Sequence, residues 1–403
     1  MSERLISLRV QGFRCIDDMT VRLDGLQLFI GENGTGKSTL VEAFEILRLL
    51  AQPGRFTYDF QTRHGDIREL VRSAEQPLRL TIVIASDERE IEYSVELKSD
   101  PNSSIALIAA EQIERLINGE RAFPVLLREH ASGSYRGPND GPTRGQQLAT
   151  DPSFSTLHAF GLQGGPPEIG IIRRVLQSLE VFPPIDVGPL WAQPHELGAI
   201  RTIRTPSQVA PANRLTRDGA NLASAFLAIN GRGPEVYRAM LQDVRAGLGM
   251  DITHVAAVPS SPSLLQLTVR FGARDVAASQ LSQGQLSYLA LVAVKHLGGT
   301  SGAVVFDEPE LHLHPSLLAR AAWLLADIAE SRPVVVSTHA DAFLDALEAP
   351  AQHVRVLTLD AQRRATVMRV DADQLEKWRK NYATLSELRR SGLLDEVLVE
   401  VAS

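Results

Sequence analysis

The stretch Gly31-Glu-Asn-Gly-Thr-Gly-Lys-Ser38 stands between a largely apolar run, Leu26 to Ile30, and the helix-forming run Thr39-Leu-Val-Glu-Ala-Phe-Glu-Ile-Leu47. It meets the pattern G-x-x-x-x-G-K-[ST] at every fixed position, in the strand-then-helix setting that a phosphate-binding loop requires. Its three glycines allow a tight turn whose successive N–H groups converge, and the helix adds the positive end of its dipole there. The spacing predicts a polyphosphate cradle made of Gly31, Asn33, Gly34, Thr35, Gly36, Lys37, Ser38 and Thr39. Lys37 would reach the β- and γ-phosphates of a nucleotide, and Ser38 would hold Mg2+.

Three later segments complete the set. Ala303-Val-Val-Phe306 reads as a buried strand ending in Asp307-Glu308, which puts two carboxylates at the carboxyl edge of a sheet, where α/β proteins bind ligands. Asp307 suits the Mg2+ shell, and Glu308 suits the polarisation of an attacking water. Leu281-Ser-Gln-Gly-Gln285 precedes a helical run; Ser282 and the Gly284 backbone then offer donors and a dipole to a phosphate, the alternative being an ordinary serine N-cap. Val334-Val-Val-Ser-Thr-His339 ends the next strand on a histidine. Between these lies Glu308-Pro-Glu-Leu-His-Leu-His-Pro315, whose His312, His314 and Glu310 have the composition of a metal set.

Composition narrows the class. The chain has 403 residues, is 44% hydrophobic and carries a net charge of -7, so a substantial core is available and no overall pull toward nucleic acid exists. No run approaches the roughly 18 apolar residues of a membrane span, and Met1-Ser-Glu-Arg4 places charge where a signal peptide is apolar. A soluble, cytoplasmic protein without a membrane partner is expected. The single Cys15 excludes an internal disulfide and a cysteine-built zinc site, and reads as a small buried residue.

Hydrophobic periodicity predicts an α/β chain with a mixed-sheet core, an N-terminal antiparallel β layer and an inserted helical lid. Residues 1–50 and 250–403 would form a split core, with strands and helices alternating as in a parallel sheet and the phosphate loop at its edge. Residues 51–200 would form an antiparallel β subdomain whose Gly/Pro/Asn-rich segment 133–165 is a flexible surface loop, and Val181 to Val187 would be a strand. Residues 201–249 would be a helical arm or lid.

Taken together, these motifs resemble those of ABC-type ATPases of the RecF, SMC and OLD group, and most closely its stand-alone RecF-like members. Leu281-Ser-Gln-Gly-Gln285 is similar to the LSGGQ signature, with Gln283 in place of the first glycine, and His339 is similar to the switch histidine. The E-P-E-x-x-L-H-P form around Glu308 is similar to the D-loop of one branch, which implies that these residues line a dimer seam and hold no metal. Ile6-Ser-Leu-Arg-Val-Gln-Gly-Phe-Arg14, Asp218-Gly-Ala-Asn-Leu222 and Leu385-Ser-Glu-Leu-Arg-Arg-Ser-Gly-Leu393 resemble further segments of the group.

The resemblance implies an ATP sandwich of two heads, with Ser282, Gly284 and Gln285 acting on the nucleotide of the opposite subunit. It implies Lys37, Glu308 and His339 as catalytic residues, and ATP with Mg2+ as cofactors. Long heptad repeats of the SMC type are absent from the sequence. Val370-Asp-Ala-Asp373 has the look of a Toprim D-x-D, but only 64 residues follow His339, and a turn is expected there. Gln52 and Gln61 are weak candidates for the Q-loop. The process implied is DNA repair or double-strand-break processing, with DNA as a possible partner. The alternative is a sensor ATPase in phage defence that controls a separately encoded nuclease or toxin.

Overall fold

The structure, a computed structural model, describes residues 3–400 apart from 74, 87–88, 101–102, 104, 137–145, 161–164, 191–200, 300–301 and 379–383. The alternating N-terminal runs form β1 (Glu3–Phe13) and β2 (Ile16–Arg22), paired antiparallel. Strand β3 (Leu26–Gly31) leaves that layer and leads through the glycine-rich turn into α1 (Lys37–Leu50), followed by α2 (Phe56–His64). Strands β4 (Leu78–Ser86), β5 (Arg89–Ser99), β6 (Ala106–Ile117), β7 (Glu120–Glu129), β8 (Ser132–Tyr135) and β9 (Gln146–Ala149) complete the first sheet, in the order β2-β1-β4-β5-β6-β7-β8-β9. Leu8 of β1 stands opposite Ile82 of β4. The N-terminal strands and residues 78–149 are thus one antiparallel layer, and the boundary expected at residue 50 falls inside it.

The segment 133–165 is not one flexible loop. It contributes β8, β9 and the short α3 (Thr156–Ala159); residues 137–145 and 161–164 lie outside the described residues. The cause is a buried cation. The Arg128 side chain is fully buried, paired with Glu111 at 2.5 Å, and it donates to the carbonyls of His130 (2.9 Å), Asp151 (3.1 Å) and Phe154 (2.8 Å). A buried guanidinium must fill its donors, and the chain folds back over it to do so.

Beyond α4 (Pro167–Gln177), β10 (Glu180–Phe182) is shorter than the strand expected to run to Val187, since Pro183 and Pro184 have no N–H for a ladder. Residues 201–249 supply β11 (Ser207–Gln208), α5 (Leu222–Asn230) and α6 (Pro234–Leu248). Phe226, Ile229, Met240 and Val244 are wholly buried in the core these helices share with α7 (Gln283–Leu297). They are packed elements rather than an arm or lid. Strands β12 (Ile252–Ser261), β13 (Leu264–Phe271) and β14 (Arg274–Ala277) form a small sheet with β11.

The remaining elements are β15 (Val304–Asp307), α8 (Pro315–Ala329), β16 (Val334–Ser337), α9 (Asp341–Asp345), α10 (Pro350–His353), β17 (Val354–Leu359), β18 (Ala365–Val370), α11 (Ala372–Trp378), α12 (Leu385–Arg390) and β19 (Leu398–Glu400). They close a seven-stranded sheet of order β10-β15-β16-β3-β17-β18-β19, parallel from β10 to β17 and antiparallel beyond. The phosphate-loop strand is therefore central, not at an edge. Its side chains alternate as a strand's must: Leu26, Leu28 and Ile30 enter the core with α5, α7 and α8, and Phe29 enters the core with α1 and the antiparallel sheet. Register then aligns the chemistry, because Asp307 stands opposite Ser337 and Ser337 opposite Phe29, two residues before Gly31. Among the described residues no helix is long and apolar enough to cross a membrane.

Candidate functional site

The turn after β3 is closed by its own side chains. Lys37, 5% exposed, folds back so that Nζ donates to the carbonyls of Gly31 (3.0 Å) and Glu32 (2.8 Å). Thr35 Oγ1 also donates to Glu32 O, at 2.9 Å. An ammonium has three donors, so one remains for a ligand. Gly36 sits at φ +102°, and a Cβ there would stand 3.0 Å from Cys15 Sγ. The half-buried Cys15 thus backs the loop, and burial pushes its thiol above the ordinary value. Asn33 and Gly34 form the exposed crest of the loop, whereas Thr35, Gly36, Lys37 and Thr39 are buried and Ser38 is exposed.

Ser38, at the start of α1, and Asp307, 269 residues later, meet at 3.3 Å from Oγ to Oδ1. Ser337 Oγ donates to that same Oδ1, so neither bond uses Oδ2. A hydroxyl and a carboxylate side by side are the hard oxygen donors that Mg2+ takes, and the pair fits the ion. Glu308 follows at φ +48°, its N–H bonded to Ser337 O at 2.9 Å. Positive φ is costly for a residue with a Cβ and is held by surrounding structure. Glu308 Oε1 lies 3.4 Å from His339 Nε2.

The electrostatics follow from burial. Desolvation pushes the Lys37 ammonium below its usual range, opposed first by Glu308 and aided by the nearby Arg389 cation. Burial, then Lys37, holds the His339 imidazole below its usual value. Glu310 is pushed up by burial, yet its Oε1 accepts from Thr338 Oγ1 and from the His339 N–H, both at 2.7 Å.

Glu310 was legible in the sequence only as a possible metal ligand, and its contact to His339 is a tertiary one. His314 takes another task and caps α8, its Nδ1 accepting from Ser316 N at 3.3 Å. Asp371, in the D-x-D pattern, accepts from Gln374 N at 2.9 Å at the start of α11. Gln52 lies beyond the C-terminal end of α1, some ~20 Å from Ser38 at 1.5 Å per residue, which removes it as a Q-loop candidate. Gln61 lies on α2, whose Arg63 and His64 reach Glu45 and Glu42 on α1.

Ser282 caps α7 in a reciprocal box: Gln285 N donates to Ser282 Oγ (3.2 Å) and Ser282 N donates to Gln285 Oε1 (2.8 Å). The hydroxyl proton is not used by this box. Gly284 admits the loop after β15, since a Cβ there would stand 2.9 Å from His312 O. Among the described residues no hydrogen bond joins 282–285 to 31–39. One chain therefore brings together Lys37, Ser38, Asp307, Glu308 and His339, and leaves the capped start of α7 apart from them.

A family model described as "AAA ATPase domain" matches residues 4–120, and one described as "AAA domain, putative AbiEii toxin, Type IV TA system" matches residues 214–345. The chain is 26% identical over 351 residues to the OLD nuclease of Thermus scotoductus; the alignment covers 84% of this chain and 59% of that protein, so the chain spans under two thirds of that relative. Two solved structures share the fold. The SmcHead bound to the C-winged helix domain of ScpA has TM-score 0.54 at 14% identity, covering 93% of this chain and 99% of that one. The Smc head domain with an extended coiled coil bound to the C-terminal domain of ScpA derived from Pyrococcus furiosus has TM-score 0.53 at 15% identity, covering 96% and 100%.

Proposed function

Taking the chain as a P-loop ATPase of ABC type, with the fold of an SMC head, we propose that it binds and hydrolyses ATP with Mg2+ and closes as a head-to-head homodimer. The observation that carries this is the meeting of Ser38 and Asp307 at 3.3 Å with Glu308 and His339 beside them. In this reading the loop amides and Lys37 neutralise the terminal phosphates. Ser38 and Asp307 would hold Mg2+, which when bound would neutralise charge on the terminal phosphates. Glu308 orients a water against the γ-phosphorus, so that a P–O bond forms to water, the bond to ADP breaks and the water proton leaves toward the carboxylate. His339 donates to the γ-phosphate.

Ser282, Gly284 and Gln285 act in trans, each completing the site of the second copy. Their support is the Ser282 hydroxyl proton, which the capping box leaves unused at a helix N-terminus, together with the lack, among the described residues, of any bond from it to its own phosphate loop. We assign the activity to the cytoplasm and to DNA repair or double-strand-break processing, with DNA as a partner. A second reading, favoured by the match to a nuclease, is a sensor that controls a separately encoded nuclease or toxin.

The test is Glu308→Gln with ATP and Mg2+ under light scattering. A dimer that accumulates with ATP and not with ADP is expected; a persistent monomer sinks the sandwich.

A further inference from the structure

Helix α12 is short but firmly seated. Thr384 and Glu387 form a reciprocal cap, Ser386 Oγ donates to Asp345 Oδ2 at 2.8 Å, and Leu385 and Leu388 are buried in the core. The next residue, Arg389, reaches back to the end of β16. Its Nη1 donates to Asp341 Oδ1 at 3.0 Å and to His339 O at 3.3 Å, so the guanidinium is tied to the residue that follows the γ-phosphate side of the sheet. Both bonds leave from Nη1. A guanidinium has five donors in a rigid fork, and those on Nη2 and Nε are not used by these bonds.

Arg389 also lines a cavity of about 530 Å³ whose other walls include Gly31, Asn33 and Thr35 of the phosphate loop, Thr358 and Gly392. Its charge bears directly on Lys37 and on His339, lowering both. Two cations and a histidine thus converge on one loop, where the Arg389 charge disfavours positive charge on both Lys37 and His339. A polyanion bound among them turns that mutual repulsion into shared attraction.

We propose that Arg389 is a ligand of the terminal phosphate of the bound nucleotide, supplied from the same chain and aimed by Asp341. The proposal rests on the nucleotide-binding reading above. It makes α12 the element that distinguishes a triphosphate from a diphosphate, because only the third phosphate extends past Lys37 toward His339. Arg suits the task through its bidentate fork, which a lysine lacks.

The experiment compares AMP-PNP and ADP, each with Mg2+, binding to the whole chain by titration calorimetry. In Arg389→Ala, affinity for AMP-PNP is expected to fall about ten- to a hundredfold, the size of one or two lost charge-assisted hydrogen bonds. ADP affinity stays within about threefold. Arg389→Lys, which keeps charge and fold but not the fork, falls in between for AMP-PNP alone. Equal losses for both nucleotides would mean that Arg389 only props the loop, and unchanged AMP-PNP binding would mean that it touches no phosphate; either overturns the proposal. If the unaltered chain binds neither nucleotide, the nucleotide reading itself falls, an outcome distinct from loss of discrimination in the variant.

Discussion

Glu310 accepts the backbone N–H of His339 at 2.7 Å. The loop after β15, which would lie along a dimer seam, is thereby fixed to the residue proposed to face the γ-phosphate. The same carboxylate oxygen takes the Thr338 hydroxyl, so one half-buried side chain sets the conformation in which β16 ends.

Removing that acceptor should loosen His339 without touching the phosphate loop. Glu310→Ala frees the His339 N–H and leaves the hydroxyl of the buried Thr338 without this acceptor, at about 1–3 kcal/mol, and is expected to lower kcat for ATP about ten- to a hundredfold with KM within about threefold. Glu310→Gln keeps an acceptor oxygen and should retain most activity. Steady-state phosphate release checks both, and a glutamine variant as poor as the alanine one would show that charge rather than position matters.

Stability should depend on pH through His339. Its imidazole is held below the ordinary value by burial and Lys37, so it takes up a proton at lower pH in the fold than in the unfolded chain, where a histidine titrates at about pH 6.5. The stabilisation is complete above about pH 6.5 and is lost as pH falls through the interval down to the folded value. Thermal melts at pH 7.5 and 5.5 should show a smaller drop for His339→Gln than for the unaltered chain; Glu310, raised by burial, titrates in both proteins and largely cancels in the comparison.

Gly36→Ala should disable the loop. Alanine at φ +102° meets Cys15 Sγ at 3.0 Å, and the backbone strain alone is of order 1–3 kcal/mol. A melting temperature lowered by several degrees and at least tenfold weaker binding of a fluorescent ATP analogue are expected. Adding Cys15→Ala relieves the contact but not the φ, so it should restore only part of the stability.

If the site is shared between copies, two dead variants should rescue each other. Lys37→Ala removes the cradle and Ser282→Arg blocks the trans element, and each alone is expected to be inactive. In an equal mixture half the dimers are mixed and each holds one intact site, giving about a quarter of full activity under two-fold symmetry. An ATPase assay of the mixture that stays at background would place all the chemistry within one chain.

The Arg128–Glu111 pair makes a stability prediction away from the site. Glu111→Gln leaves a fully buried guanidinium without its counter-charge, at about 3–5 kcal/mol. Denaturant melts should show that loss, and limited proteolysis should become faster in the segment around Asp151 and Phe154, whose carbonyls Arg128 holds.

What the sequence determined by itself was local. The turn from Gly31 to Ser38, the strand ending in Asp307, the apolar run before His339 and the cap at Ser282 all depend on neighbours a few residues away, so short-range spacing carries them. Composition misled at 133–165 because the cause of order there, Arg128, lies outside the segment and is visible only once β7 places it. Only the tertiary structure decided that β3 is central rather than an edge, that α5 and α6 are core, and that Glu310 and Arg389 reach the end of β16. Each of those depends on a contact between distant parts of the chain, and such contacts are chosen by the burial of whole layers rather than by any pattern within one element.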